Sequence, residues 1–304
     1  MDSYSSNKKE AWLEAIRLRT LPLALSCIGM GSFLAAYDGH FSLPILILAA
    51  ITTISLQILS NLANDYGDTI HGADSAEREG PKRAVQSGAI TSAEMKRAII
   101  ILAIVSLLSG IALIWLALGD QWYLALLFLG FGLASIWAAI TYTAGKNPYG
   151  YMGLGDISVF IFFGLLGVGG TYFLHAGSIT WDFILPAVSC GLFATGVLNL
   201  NNIRDITSDI KAGKRSIPVR LGRSKAIIYH WTLLALGFGA ACWFVALNQA
   251  SLFSWLFVFS APLFLINARA VAIHQTASTL DPFLKQLAIS TLLFVLLFGI
   301  GILL

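Results

Sequence analysis

Charge is scarce in this chain. Asp, Glu, Lys and Arg make up 12% of its 304 residues, against roughly 25% in soluble domains. With 57% hydrophobic residues and a mean hydropathy of +0.77, that shortage excludes a soluble globular protein and implies an integral membrane protein. Cysteine is nearly absent. Cys27, Cys190 and Cys242 lie singly inside apolar runs, which excludes a disulfide framework or a thiolate metal site and marks each as a core residue. The first 20 residues are polar and basic; without a short apolar region ending in a small-residue site, no cleavable signal peptide is expected. The net charge of +3 is small and points to no nucleic-acid partner.

In place of charge the chain has apolar runs of bilayer length, about 20 residues each as helix. They predict spans near 21–37, 43–64, 98–118, 121–143, 153–175, 181–202, 226–247, 251–273 and 286–304. The expected fold is all-α and polytopic, a single domain over 1–304 with about nine transmembrane helices around a central cavity. Residues 1–20, with Trp12, Arg17 and Arg19, read as an interfacial segment. Thr91-Ser92-Ala93-Glu94 has the form of a capping box. The connections 38–42, 119–121, 176–181 and 248–250 hold no Lys or Arg, so all 19 basic residues fall on the N-terminal side. This one-sided distribution predicts a cytoplasmic N-terminus.

The second apolar run ends in an unusual polar stretch, Asn61-Leu62-Ala63-Asn64-Asp65-Tyr66-Gly67-Asp68-Thr69-Ile70-His71-Gly72-Ala73-Asp74. Asn61, Asn64, Asp65 and Asp68 recur at i, i+3, i+4 and i+7, so a continuing helix puts them on one stripe. Gly67 and Gly72 are expected to loosen that helix, letting Asp74 fold back. Carboxylates at a membrane boundary are costly unless something cationic meets them. An all-oxygen donor set favours a hard cation, Mg²⁺ before Zn²⁺. Held by a few carboxylates, Mg²⁺ usually shares its remaining positions with a phosphorylated substrate.

A second copy closes the sixth run: Asn199-Leu200-Asn201-Asn202-Ile203-Arg204-Asp205-Ile206-Thr207-Ser208-Asp209. Asn202, Asp205 and Asp209 again share a helical face. Two such stripes suggest two walls of one metal-diphosphate site, with Asn64, Asp68, Asp74, Asn202, Asp205 and Asp209 as ligands and Asn61, Asp65 and Asn199 beside them. The stripes close helices two and six, an even offset, which implies two parallel four-helix halves plus one helix. The long loops that follow, about 65–97 and 203–225, would cap the cavity on the cytoplasmic side. They bring cations suited to phosphate oxygens, Arg78, Lys82 and Arg83 in the first and Lys211, Lys214 and Arg215 in the second. Arg220, Arg223 and Lys225 read as membrane anchors. A third polar cluster follows the fourth span, with Tyr142, Lys146, Asn147, Tyr149 and Tyr151 leading to Gly153-Leu154-Gly155-Asp156. Asp156 opens the next helix and is either an N-terminal dipole partner or a contact for an aromatic co-substrate. His40, His175 and His230 read as structural, and His71 as a lone histidine within the first motif.

The pair Asn64-x-x-x-Asp68-x-x-x-x-x-Asp74 and Asn202-x-x-Asp205-x-x-x-Asp209 resembles the two Asp-rich motifs of the UbiA family of intramembrane aromatic prenyltransferases. The likeness spans nearly the whole chain in helix count and motif placement. The Asp68-to-Asp74 spacing, the segments Gly80–Gly88 and Tyr149–Asp156, and Arg17-Leu18-Arg19-Thr20-Leu21-Pro22 are similar to the menaquinone branch. The resemblance implies Mg²⁺-dependent transfer of a polyprenyl group from an allylic diphosphate to 1,4-dihydroxy-2-naphthoate in the bacterial inner membrane. Asp68 and Asp205 would be central to catalysis. Asp156 is the candidate acceptor-activating base and Tyr149 a substrate contact. A different acceptor, such as 4-hydroxybenzoate, is the nearest alternative. A cation-coupled transporter fits less well, because such proteins place ionisable groups near the midplane on inverted repeats.

Overall fold

The computed structural model describes residues 8–71, 83–248 and 251–304. Asp74, Arg78 and Lys82 lie outside the described residues. Among those described, nine helical stretches are long and apolar enough to cross a membrane. The first joins α1 (Lys8–Ile16), a 3₁₀ turn (Leu18–Thr20) and α2 (Leu21–Tyr37). Arg17 makes the bend between them in the left-handed region, at φ 53°, a conformation non-glycine residues adopt rarely. Its carbonyl accepts the Thr20 N–H and hydroxyl at 2.9 and 3.0 Å. α1 is packed, not merely interfacial: Ala11 and Ala15 are buried beside Leu62, Ile90 and Met95.

α3 (Leu43–Ile70) runs unbroken through the whole first polar stripe. Gly67 therefore does not loosen it. A Cβ there would lie 2.6 Å from the Thr143 backbone, so glycine is required for close approach of the segment after the fourth span. Thr143 completes the contact, its hydroxyl donating to Ala63 O and Asn64 Oδ1 at 3.2 and 3.0 Å. α4 (Ser92–Leu118) opens with the expected capping box of Thr91 and Glu94, so the first connection is shorter than 65–97. α5 (Trp122–Thr141) is the fourth span. α6 (Gly155–Val159) continues through an eleven-residue π-helix, Phe160–Gly170, into α7 (Thr171–Ala176).

α8 (Ile184–Arg204) ends at the second polar stripe, and the chain turns at Asp205 before α9 (Ile206–Lys211) and α10 (Ile217–Leu221). The turn keeps the Asp209 N–H on the Asp205 carbonyl at 2.9 Å, so the predicted i, i+3, i+7 face survives. α11 (Arg223–Leu247) packs on α8. A 3₁₀ stretch (Leu252–Ser260) leads into α12 (Ala261–Ile273), and α13 (Ala277–Leu303) closes the bundle against α2 and α8. α13 begins nine residues before the expected 286, because Asp281 is held by ion pairs that hydropathy does not register. The main core is aromatic and lies between α8, α11, α12 and α13, where Phe193 meets Phe264 and Phe294 at 4.6 and 5.0 Å between ring centroids. His230 is buried there in a polar contact with Asn267 at 3.0 Å, and His175 bonds Ser32 and the Ser42 N–H; both fit the expected structural role.

Candidate functional site

A cavity of about 410 Å³ opens between α2, α3, α4, α5, the π-helix and α8. One end is polar, walled by Asn61, Asn64, Asp68, Arg83, Asn202, Asp205, Asp209 and Lys214. The remainder is apolar, with Leu23, Ile28, Leu56, Leu113, Phe128, Phe162 and Leu166 among its walls. Ala49 and Asp68 both face it, and at 1.5 Å rise per residue roughly 28 Å of α3 separates them. The cavity therefore extends through most of a hydrocarbon layer about 30 Å thick.

Helices position the carboxylates and loops bring the cations. Lys214 Nζ lies 3.0 Å from Asp68 Oδ1 and 3.3 Å from Asp209 Oδ1, bridging the two stripes. Its ammonium also sits over the Tyr151 ring at 4.8 Å, and the Tyr151 hydroxyl donates to Asp68 at 2.9 Å. Arg83 approaches Asp68 at 3.9 Å. Burial works against the Lys214 ammonium, but Asp68 and Asp209 outweigh it and hold its pKa above the ordinary lysine value. Burial also pushes the Asp209 carboxyl up to about 6, with Asp205 and Asp68 adding to the shift and Lys214 opposing it. A cation lodged between two carboxylates marks where positive charge is stabilised.

The loops are seated by their own contacts. The Arg215 N–H donates to Tyr151 O at 2.8 Å, which ties the loop after α9 to the loop before α6. Gly153, at φ +78°, sits where a Cβ would meet Arg215 O at 2.4 Å. Asp65 faces away from the cavity and accepts the Ala84 and Val85 N–H groups at 3.2 Å each. It anchors the turn that presents Arg83.

Not every expected site residue reaches the cavity. Asn199 lies one turn before Asn202 but points to α11, donating to Ala226 O at 3.1 Å. Asp156 is buried and accepts the Tyr229 hydroxyl at 3.2 Å; it does not line the cavity, so the geometry does not carry it as an acceptor-activating base. Lys211 and Arg215 have exposed side chains outside the cavity wall. Asn61 does line it, but its amide donates to Ile16 O and the Thr20 hydroxyl at 2.8 and 2.9 Å, fastening the N-terminal segment to α3. Tyr149 lines the cavity with its hydroxyl donating to Ala138 O at 3.0 Å. His71 bonds the Gly67 carbonyl through Nδ1 at 2.9 Å. Tyr151 and Thr143 carry no ligand-like signature in the sequence. The available signal was polarity in a short loop beside a membrane face.

A chamber with carboxylates on two helices, cations on the loops and an apolar lane behind defines a protein that brings a charged headgroup and a lipid tail together. The chain belongs to the UbiA prenyltransferase family, whose sequence model matches residues 24–302. It is 47% identical to the 1,4-dihydroxy-2-naphthoate octaprenyltransferase of Escherichia coli (strain K12), over 99% of this chain and 98% of that protein. Its fold is similar to the apo structure of a UbiA homologue from Aeropyrum pernix K1, with TM-score 0.69, 18% identity and coverage of 94% and 98% of the two chains. It is also similar to a UbiA homologue from Archaeoglobus fulgidus bound to DMAPP and Mg²⁺, with TM-score 0.59, 17% identity and coverage of 94% and 99%.

Proposed function

We propose that this enzyme transfers a polyprenyl group from an allylic diphosphate to 1,4-dihydroxy-2-naphthoate, releasing diphosphate and CO₂ and forming a demethylmenaquinol for menaquinone synthesis. The observation that carries the reading is the Lys214 bridge between Asp68 and Asp209 at the mouth of an apolar cavity. Full-length relatives carrying that activity in their names support it. The donor set fits Mg²⁺: Asn64, Asp68, Asn202, Asp205 and Asp209 offer oxygen only and line one chamber, and a lysine ammonium already occupies a cation position there. Asp74 joins the proposed ligands by motif. When bound, Mg²⁺ supplies charge neutralisation for the departing diphosphate.

The chain's own residues do the rest. Lys214 and Arg83, with Arg78 and Lys82 by sequence, bind phosphate oxygens and leave the carboxylates to the metal. The apolar walls hold the tail and exclude water from the allylic centre. The naphthoate ring carbon bearing the carboxylate attacks that centre, the allylic C–O bond breaks, and loss of CO₂ returns the electron pair to the ring. We place the N-terminus and both stripes in the cytoplasm and the protein in the bacterial inner membrane, on the one-sided distribution of Lys and Arg. Purified protein given Mg²⁺, a polyprenyl diphosphate and either carboxyl-labelled naphthoate or carboxyl-labelled 4-hydroxybenzoate tests the reaction. Labelled CO₂ with a prenylated naphthol is expected; prenylation of 4-hydroxybenzoate with its carboxylate retained would refute the acceptor.

A further inference from the structure

Arg204 is a cation sealed inside the bundle. It ends α8, its side chain is 2% exposed, and it forms no part of the cavity wall. Its Nε and Nη2 donate to the two oxygens of Asp205, both at 2.7 Å. Nη2 also reaches Asn201 Oδ1 at 2.9 Å, and Nη1 donates to Asp281 Oδ1 at 2.6 Å. The other oxygen of Asp281 accepts from Arg19 Nη1 at 2.5 Å. Charges from α8, α13 and the turn before α2 thus alternate along one line: Arg19, Asp281, Arg204, Asp205.

With Arg204 alone, Asp205 would present a neutral pair to the cavity. The guanidinium would cancel the carboxylate's attraction for a divalent cation at contact range. Asp281 removes that cancellation. Its charge offsets Arg204 from behind, and its bond to Nη1 fixes the fork that orients Asp205.

We infer that Asp281 is a positioning residue for the metal-binding end of the second stripe, acting through Arg204. The inference rests on the metal reading above. Partners that orient a metal-ligating side chain typically contribute 10- to 100-fold in metal affinity. Breaking the Arg19–Asp281 pair from its two ends should therefore have unlike effects. Asp281→Asn leaves Arg204 to neutralise Asp205 and weakens metal binding. Arg19→Gln leaves Asp281 wholly to Arg204 and does not weaken it. A purely structural pair would lose affinity, or only stability, alike from either end.

Mn²⁺ followed by electron paramagnetic resonance, titrated into the full chain in detergent without substrate, reads this directly. Wild type should bind Mn²⁺ in competition with Mg²⁺. Asp281→Asn should bind about tenfold more weakly, Arg204→Lys should lose a similar factor because an ammonium lacks the fork, and Arg19→Gln should bind as tightly as wild type or a few-fold tighter. Equal Mn²⁺ affinity in wild type and a folded Asp281→Asn overturns the inference. If that variant does not fold, weakened binding by Arg19→Gln overturns it instead. Wild-type protein that takes up no Mg²⁺-displaceable Mn²⁺ refutes the metal reading itself and the inference with it.

Discussion

The two polar stripes end in carboxylates of the same chemistry, yet their charge is compensated in different ways. Asp68, closing α3, meets Tyr151 and Lys214 from loops distant in sequence and Arg83 from the connection that follows α3. Asp205, closing α8, is gripped by its own neighbour Arg204, which Asp281 of α13 holds from the other side. Loop-borne cations can re-pair with an arriving diphosphate without disturbing a span. Arg204 cannot leave without stranding two carboxylates, one of them buried, a costly state. Asp68 is therefore built for exchange of partners and Asp205 for constancy, while Asp209 shares the loop-borne Lys214.

Removing either carboxylate is the strongest way to test that contrast. Asp68→Ala and Asp205→Ala should each lower kcat by about 10²–10³-fold, the scale of a lost electrostatic stabiliser, in a radiolabelled transfer assay. They should differ in stability. Asp205→Ala strips Arg204 of one of its carboxylate partners and should lower the Tm in detergent, whereas Asp68→Ala loses contacts borne by loops and should not. Equal loss of Tm would break the distinction.

A smaller effect is expected at the bridge. Lys214→Met should reduce kcat/KM for the prenyl diphosphate by roughly 10- to 100-fold, since charge-assisted hydrogen bonds contribute about 1.5–3 kcal/mol each. Lys214→Arg should recover part of it. An unchanged KM for the diphosphate would show that the lysine only neutralises the empty site.

Next in size is the backbone contact beneath the first stripe. Gly67→Ala forces a Cβ to within 2.6 Å of the Thr143 carbonyl carbon and oxygen, and overpacking of this kind costs about 1–3 kcal/mol. Thermal unfolding in detergent should register it, with activity falling as Asn64 and Asp68 move off register.

The mildest test uses pH. The Asp209 carboxyl, at about 6, is protonated below that value and ionised above it. Metal competes with the proton, so the Mg²⁺ concentration for half activity should rise a few-fold from pH 7.5 to pH 5.5. Asp209→Asn should flatten that dependence; a wild-type Mg²⁺ requirement constant across this range would remove Asp209 from the donor set.

Much of this was legible in the sequence because its signals are local. Apolar run length marks spans, and a period of three to four residues marks which side chains share a helical face. That period puts Asn64 with Asp68 and Asn202 with Asp205 and Asp209, and all five line one chamber. Asp65 of the first stripe and Asn199, expected beside the second, do not reach the cavity wall. Each lies near the stripe, but a helix face is wider than a cavity wall, and neighbouring elements took those two side chains. Asp156 was open in the sequence for a related reason: a carboxylate at a helix start can turn to either side, and here it accepts the Tyr229 hydroxyl away from the cavity wall.

By itself the sequence determined the membrane class, the order of the helices and the two oxygen-rich stripes, because hydropathy and helical period act over a few turns. Tertiary structure alone decided which charges meet. Lys214 reaches Asp68 across nearly half of the chain, Asp281 reaches Arg204 from another helix, and Gly67 meets Thr143 through a backbone contact that leaves no periodic trace. Ion pairing in a low-dielectric interior depends on distances of a few ångströms, and those distances exist only once the helices have packed.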